Sequence, residues 1–346
     1  MKLAGLLLLL SLNFLALTNY NIVFVHIGDK IPSYITHSIK QARLFNKKCP
    51  IYLITNKKAL ETIFETLNNQ DITIIDVDTI SQTDEHINFL KIFNIWESTI
   101  GKNVILKNFM KVTSERYLVL YDFIKKNNLT NTFHLENDVM LYIELDNALP
   151  IFEKNYKLAF PFDHDQRAPA SFIYIKNHTA LKPLVRLLSS AFINGFNDMQ
   201  IPSILAQINP QAIDRLPILT PDYLLQYKAE NLLNEKALTP SLFTKNFDQF
   251  KFIFDAAAIG QYLGGIDPHY YQSTPGFINE KTIFNVSYFT YVWQKDEKNR
   301  YIPYALLNDK KTPIANLHIN CKNLSAFASD NPSIIQNQYI QIAPEA

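Results

Sequence analysis

A chain of 346 residues with 47% hydrophobic and 13% aromatic residues can bury a large core, which excludes disorder as its main state. Its formal net charge of +1, with no basic stripe interleaved with aromatics, argues against a nucleic-acid partner. Only 8 glycines occur in the whole chain, too few to favour glycine-rich phosphate loops.

The N-terminus carries one positive charge at Lys2 and an apolar run from Leu3 to Leu17. That length suits the hydrophobic region of a secretory signal and falls short of a comfortable membrane span. Residues 1–20 are therefore expected to be a signal peptide or a short membrane anchor, placing the protein in the secretory pathway or at a membrane. IVFVHI (22–27) then reads as a strand, followed by a turn at Gly28 and Asp29. Pro32 and Ser33 open a helix with apolar positions at Ile35, Ile39 and Ala42. A strand at IYLI (51–54), a helical stretch over 60–67 and a strand at ITII (72–75) follow. This alternation predicts a parallel sheet covered by helices. No G-x-G-x-x-G follows the first strand, which argues against a nicotinamide or flavin dehydrogenase. Cys49 and Cys321 have no metal-ligand spacing; they could pair if the protein is exported, and two buried free thiols are the first expectation.

Residues 82–109 lack a clean period and read as an inserted segment. Ser114 is the expected N-cap of a helix whose apolar face is Tyr117, Leu120, Tyr121 and Ile124. Next comes TFHLENDVMLY (132–142), an apolar run broken by Glu136 and Asp138. On a strand these two carboxylates point to the same side, an expensive arrangement unless a cation or donors compensate it. They are expected at the C-terminal end of a sheet strand, where open α/β folds bind ligands. A bound metal and a solvated strand end are the two readings. If both sit at the sheet's ligand edge, removing either relieves carboxylate repulsion in the metal-free protein, so the melting temperature should hold or rise. KLAFPF and SFIYI read as further strands, with an amphipathic helix marked by Leu181, Leu184, Val185, Leu188 and Phe192. Asp163 and Asp165, in FPFDHDQR, form a rival acidic pair. One domain over 21–327 with a loose tail at 328–346 is the expected organisation.

Two late stretches bear on the chemistry. IANLHINCKNL places His318 four residues before Lys322, and with the two carboxylates these would suit a diphosphate-bound Mg²⁺ or Mn²⁺. FDAAAIGQYLGGIDP (254–268) has Asp255 where it would cap a small-residue helix ending at Gly264 and Gly265, and Gln261 where its amide can reach a ligand. Asp198, in NDMQ, stands where it would cap a helix.

HLENDVMLY resembles the D-x-D region of glycosyltransferases with the GT-A fold, which transfer sugars from nucleotide diphosphates. LHINCKNL is similar to the segment that supplies their metal-binding His, and VHIGDKIPSYITHSIKQARLFN has the character of their first β-α unit. The first acid here is Glu136 rather than Asp. The resemblance implies a GT-A-type α/β single domain with a central, mostly parallel twisted sheet flanked by helices and a nucleotide-binding N-terminal half. It implies Mn²⁺ (or Mg²⁺) held by Glu136, Asp138 and His318, with Lys322 on the phosphates. His26 and Gly28 would lie near the base or ribose, and Arg116 would reach the donor from its helix. Asp198 would face the acceptor and serve as base if the anomeric centre inverts; Asp255 and Gln261 would contact sugar. The implied partners are a nucleotide-sugar donor and a glycan, lipid or protein acceptor. Competing readings are a nucleotidyltransferase or metal-dependent hydrolase, and an exported carbohydrate-binding protein on an inactive transferase scaffold.

Overall fold

In the computed structural model, residues 18–60, 67, 70–99, 104–269, 274–330, 332–336 and 338–342 are described. The apolar run before residue 18 and most of the helix expected over 60–67 lie outside them. Among the described residues no helix is long and apolar enough to cross a membrane.

Strand β1 (Asn21–His26) alternates its buried side chains between two cores, Ile22 and Phe24 on one face and Val23 and Val25 on the other. A strand buried on both faces needs cover on both, and the neighbours supply it. Helix α1 (Ile35–Phe45) leads to β2 (Ile51–Thr55), which lies parallel to β1, and β3 (Thr73–Asp76) lies parallel to β2. Helices α2 (Asp84–Thr99) and α3 (Val104–Lys126) lead to β4 (Thr132–Leu135), which pairs parallel to the other side of β1. After β5 (Val139–Leu141) and α4 (Leu145–Asn155) come β6 (Leu158–Pro161), β7 (Phe172–Ile175), α5 (His178–Ile193), α6 (Gln200–Ile208) and β8 (Asp214–Leu216). The main sheet runs β3-β2-β1-β4-β7-β6-β8, and β7 alone is antiparallel to its neighbours. The mostly parallel α/β architecture expected from the alternation is therefore present.

Two smaller sheets complete the described structure. The chain passes through α7 (Ala258–Gly264) into β9 (Thr290–Lys295), β10 (Tyr301–Leu307), β11 (Lys310–Pro313), β12 (Asn316–His318) and β13 (Ile340–Ile342). β12 pairs antiparallel with β5, and β13 pairs parallel with β9. The tail expected to trail loosely from residue 328 is in fact anchored. The Ser329 amide donates to Gln41 Oε1 at 3.1 Å, and β13 joins a sheet.

Three local expectations need correction. Residues 84–99 form a helix, with Phe89 and Phe93 packed on Phe192 at ring distances of 5.5 and 5.6 Å. Its period was obscured by Ile87 and Ile95, apolar residues that face solvent at 39% and 60% exposure. Ser114 does not cap a helix, because α3 begins ten residues earlier at Val104 and runs through it. Asp163 and Asp165 form no joint metal site: Arg167 takes the first and Arg215 the second, at 2.8 and 2.7 Å.

Helices α2 and α3 are joined by a buried polar cluster. His86 Nδ1 lies 2.6 Å from Asp122 Oδ2, its Nε2 lies 3.2 Å from Glu115 Oε1, and Thr83 donates twice to Asp122 Oδ1. Burial disfavours a charged imidazole, but the bonds to Asp122 and then Glu115 outweigh it and raise the His86 pKa to about 9. A folded pKa above the unfolded one stabilises at low pH, fully below about pH 6.5, and this contribution is lost as pH rises through about 9. Linkage puts the contribution on the order of 3 kcal/mol. Unfolding free energy of wild type minus His86→Gln should therefore be largest near pH 6 and shrink by pH 9. A gap independent of pH would mean that His86 is neutral in the folded protein.

Candidate metal centre and its cavity

The two carboxylates do not share a strand. β4 ends at Leu135 and β5 begins at Val139, so Glu136 and Asp138 lie in the tight turn between them. Their convergence therefore owes nothing to strand alternation. The turn, closed by Val139 N–H donating to Glu136 O at 3.2 Å, sits at the C-terminal edge of β4 and brings both carboxylates into one cavity.

His318 arrives through tertiary pairing. The β5–β12 register sets His318 opposite Val139, and the Ile319 amide donates to Asp138 O at 2.8 Å. His318 Nε2 then lies 3.2 Å from Asp138 Oδ1 and 3.5 Å from Glu136 Oε2. One ligand atom from each of the three residues falls within 4.8 Å of the others. His318 Nδ1 lies 3.0 Å from Ala256 O. A carbonyl can only accept, so Nδ1 carries the proton of that bond and Nε2 is turned toward the carboxylates. This is the orientation in which metal-binding imidazoles are held by a backbone partner. An oxygen-rich set with one imidazole fits Mn²⁺ or Mg²⁺, Mn²⁺ accepting the nitrogen more readily.

Without a metal, protein cations balance the acids. Burial alone would raise the Asp138 pKa, but His318 and Lys322, which pairs with its Oδ2, hold it well below the usual carboxylate range. Glu136 is lowered in the same way, by Arg116 and then His318. His318 is itself raised to about 9, because Asp138 and then Glu136 outweigh its burial. The expectation that deleting a carboxylate would leave stability unchanged or improve it is therefore reversed. Each acid is compensated, so its loss strands a buried cation.

Arg116 is not a solvated helix residue. Its guanidinium bonds Glu136 through Nη1 and Asp198 Oδ2 through Nη2, the latter at 2.7 Å, tying α3 to both. Asp198 is not a helix cap either. Asn197 Oδ1 takes that role, accepting from Met199 N and Gln200 N at 3.1 and 3.0 Å, and leaves the Asp198 carboxylate to face Arg116. Burial raises the Asp198 pKa despite Arg116.

Asp255, expected to contact sugar, does not line the cavity. Its carboxylate caps α7 through Ile259 N and Gly260 N, both at 2.9 Å, and accepts from His318 N at 3.0 Å. It is 2% exposed and builds the site from behind. Gln261 does line the cavity. His26 and Gly28 do not: His26 Nε2 is 2.8 Å from Lys30 O, and the Gly28 amide donates to Asn56 Oδ1 at 2.9 Å. His26 Nδ1 lies 3.3 Å from Nδ2 of Asn137, the residue between the two carboxylates in the chain. Cys49 and Cys321 are not bonded to each other; Cys49 is buried, whereas Cys321, also expected to be buried, is only partly so.

The cavity encloses about 420 Å³. It is lined by the carboxylates of Glu136, Asp138, Asp163, Asp198 and Asp267 and by the cationic side chains of Arg116, Arg167 and Lys322. His318, held charged by its raised pKa, adds a fourth cation to these walls. Sequence reasoning missed Arg167, Asp267 and Asn279 on these walls. The i, i+4 spacing of Asp163 and Arg167 was the one available signal.

No protein-family model matches this chain, and no curated protein does. Glycosyltransferases recur among the solved structures similar to it. A structure titled PaToxG glycosyltransferase is 17% identical, covering 55% of this chain and 68% of its own, at a TM-score of 0.37. Core-mannan synthase A from Aspergillus fumigatus, in an Mn/GDP form, is 10% identical over 58% of this chain and 73% of its own, TM-score 0.41. A cytidylyltransferase from Leptospira borgpetersenii is 13% identical over 57% and 76%, TM-score 0.35.

Proposed function

We propose that this protein is a metal-dependent glycosyltransferase that moves a sugar from a nucleotide-diphosphate donor to a hydroxyl acceptor. The observation that carries the reading is the convergence of Glu136, Asp138 and His318 beside Lys322, in one cavity at the C-terminal edge of a mostly parallel sheet. Glu136, Asp138 and His318 would hold Mn²⁺ or Mg²⁺, and that ion would neutralise the charge growing on the leaving diphosphate. Lys322 presents Nζ at the same carboxylate and so lies where a phosphate oxygen would take over one of its bonds. Arg116 holds Glu136 and Asp198 in fixed relation. Asp198, its pKa raised by burial, suits the acceptance of a proton from an acceptor hydroxyl if the anomeric centre inverts.

A panel of nucleotide sugars, assayed with Mn²⁺ and with chelator, tests this by nucleotide release and sugar transfer. Turnover that needs the metal is the expected result, and Asp198→Asn should lower kcat about 10²–10⁴-fold in an inverting enzyme. Pyrophosphate release would identify a nucleotidyltransferase, and glycan binding indifferent to chelator an inactive scaffold. No binding of any donor, with or without metal, would sink the transferase reading.

A further inference from the structure

Helix α3 carries two separate stripes of polar side chains. Phe109, Thr113 and Arg116, spaced as one helix face, line the cavity, and the Tyr117 hydroxyl donates to Asp198 O at 3.2 Å. Glu115 and Asp122, about two turns apart, form the other stripe and face α2. His86 of α2 spans both levels, with Nδ1 2.6 Å from Asp122 Oδ2 and Nε2 3.2 Å from Glu115 Oε1. The imidazole is buried and does not line the cavity.

Glu115 and Arg116 are consecutive, so a rotation of α3 that displaces one displaces the other. At the 5–6 Å outer radius of a helix, a turn of about 10° moves a side-chain tip by about 1 Å. Arg116 tolerates little of that, because its guanidinium bonds Glu136 and Asp198 at once. Apolar residues between α2 and α3 would often be as stable as a buried ion network. They lack direction, however, whereas hydrogen bonds to two levels of α3 fix its rotation.

We propose that His86 is a positioning residue: by gripping Glu115 and Asp122 it sets the rotation of α3 and so holds Arg116 on Glu136 and Asp198. The titratable and charged groups facing it from α3 are these two acids, with Lys111 Nζ 3.9 Å from Glu115 Oε2. From α5, Lys182 and Arg186 are taken up by the neighbouring Glu85 at 3.8 and 3.5 Å.

The test reads the Arg116 guanidinium of the metal-free protein by ¹³C-detected NMR, its signals assigned with Arg116→Lys. A guanidinium tied to two carboxylates turns slowly about its Nε–Cζ bond and gives resolved Nη signals. Wild type at pH 7 should show them, and His86→Gln should lose them to averaging. Glu115→Gln, which keeps the Asp122 bond, should show a partial loss and serves if His86→Gln does not fold. Asn88→Ala removes a different bond of α2, 3.3 Å to Ser189 Oγ on α5, and should leave Arg116 unchanged. The difference between wild type and His86→Gln should shrink above about pH 9, where wild-type His86 loses its proton too. His318 titrates in the same range in both proteins and cancels from the difference.

Calorimetry with Mn²⁺ at pH 7 gives a second readout. Arg116 supports the candidate ligand Glu136, so its release in His86→Gln should weaken binding about tenfold. If Mn²⁺ binds no form of the protein, the metal-centre reading fails and the Arg116 signals alone decide the role of His86. Resolved wild-type-like signals in folded His86→Gln, an equal loss in Asn88→Ala, or a difference as large above pH 9 as at pH 7 would each overturn it.

Discussion

Asp138→Ala should abolish metal-dependent nucleotide binding, by at least about 100-fold, since partners one shell further out already cost 10–100-fold. It should also destabilise the metal-free protein, because Lys322 and His318 lose the carboxylate between them. Removing one member of a buried pair costs about 3–5 kcal/mol. Lys322, with 24% of its side chain exposed, can partly rehydrate, which puts the loss nearer 2 kcal/mol. Asp138 is the main group raising His318, so the imidazole should titrate below its wild-type value of about 9. Histidine NMR, urea unfolding and calorimetry with Mn²⁺ read the three effects separately. If His318 is a ligand, as proposed, a metal binding to wild type has to displace its proton. Apparent affinity should therefore rise about tenfold per pH unit up to about pH 9 and then level off. Affinity that is flat from pH 6 to 9 would remove His318 from the ligand set.

Gly260→Ala should be among the most damaging single-methyl changes in the chain. A Cβ there would stand 2.0 Å from His318 O and 2.7 Å from its carbonyl carbon. Both are backbone atoms of β12 and cannot swing aside, so α7 and β12 must separate. Overpacking typically costs 1–3 kcal/mol, and a clash with fixed backbone should cost about 3 kcal/mol or more. The displaced strand carries His318, so metal affinity should fall with the melting temperature. Gly264→Ala is the comparison: its Cβ would meet Cys321 Sγ at 2.8 Å and Phe327 Cζ at 3.1 Å, side-chain rather than backbone atoms and at longer distances. The two variants should rank in that order. Wild-type melting and metal affinity in Gly260→Ala would show that the α7–β12 contact does not position His318.

Hydrophobic patterning made the sheet legible in advance. IVFVHI, IYLI, KLAFPF and SFIYI each hold strands within a residue or two of the expected limits, since strands buried on both faces of a sheet read as near-continuous apolar runs. Residues 84–99 were opaque because Ile87 and Ile95, facing solvent, erased the helical period that Phe89 and Phe93 would have displayed. Asp255 was legible as a cap, whereas its place behind the cavity was not; no one-dimensional pattern says which side of a helix end faces the cavity.

At the site, residue types alone suggested the ligand chemistry proposed here: two carboxylates two positions apart, and an imidazole with a lysine four residues on, would suit an oxygen-preferring divalent cation where they meet. Whether they meet was decided by the tertiary structure. The β5–β12 register and the close approach of Gly260 to the His318 backbone carry the imidazole across 180 residues to Asp138. Arg116, Arg167 and Lys322 gained their roles in the same way, each by the buried acid the fold set beside it. A charge in a sequence has no partner until folding removes the water that would otherwise solvate it, and the choice of partner follows from that desolvation.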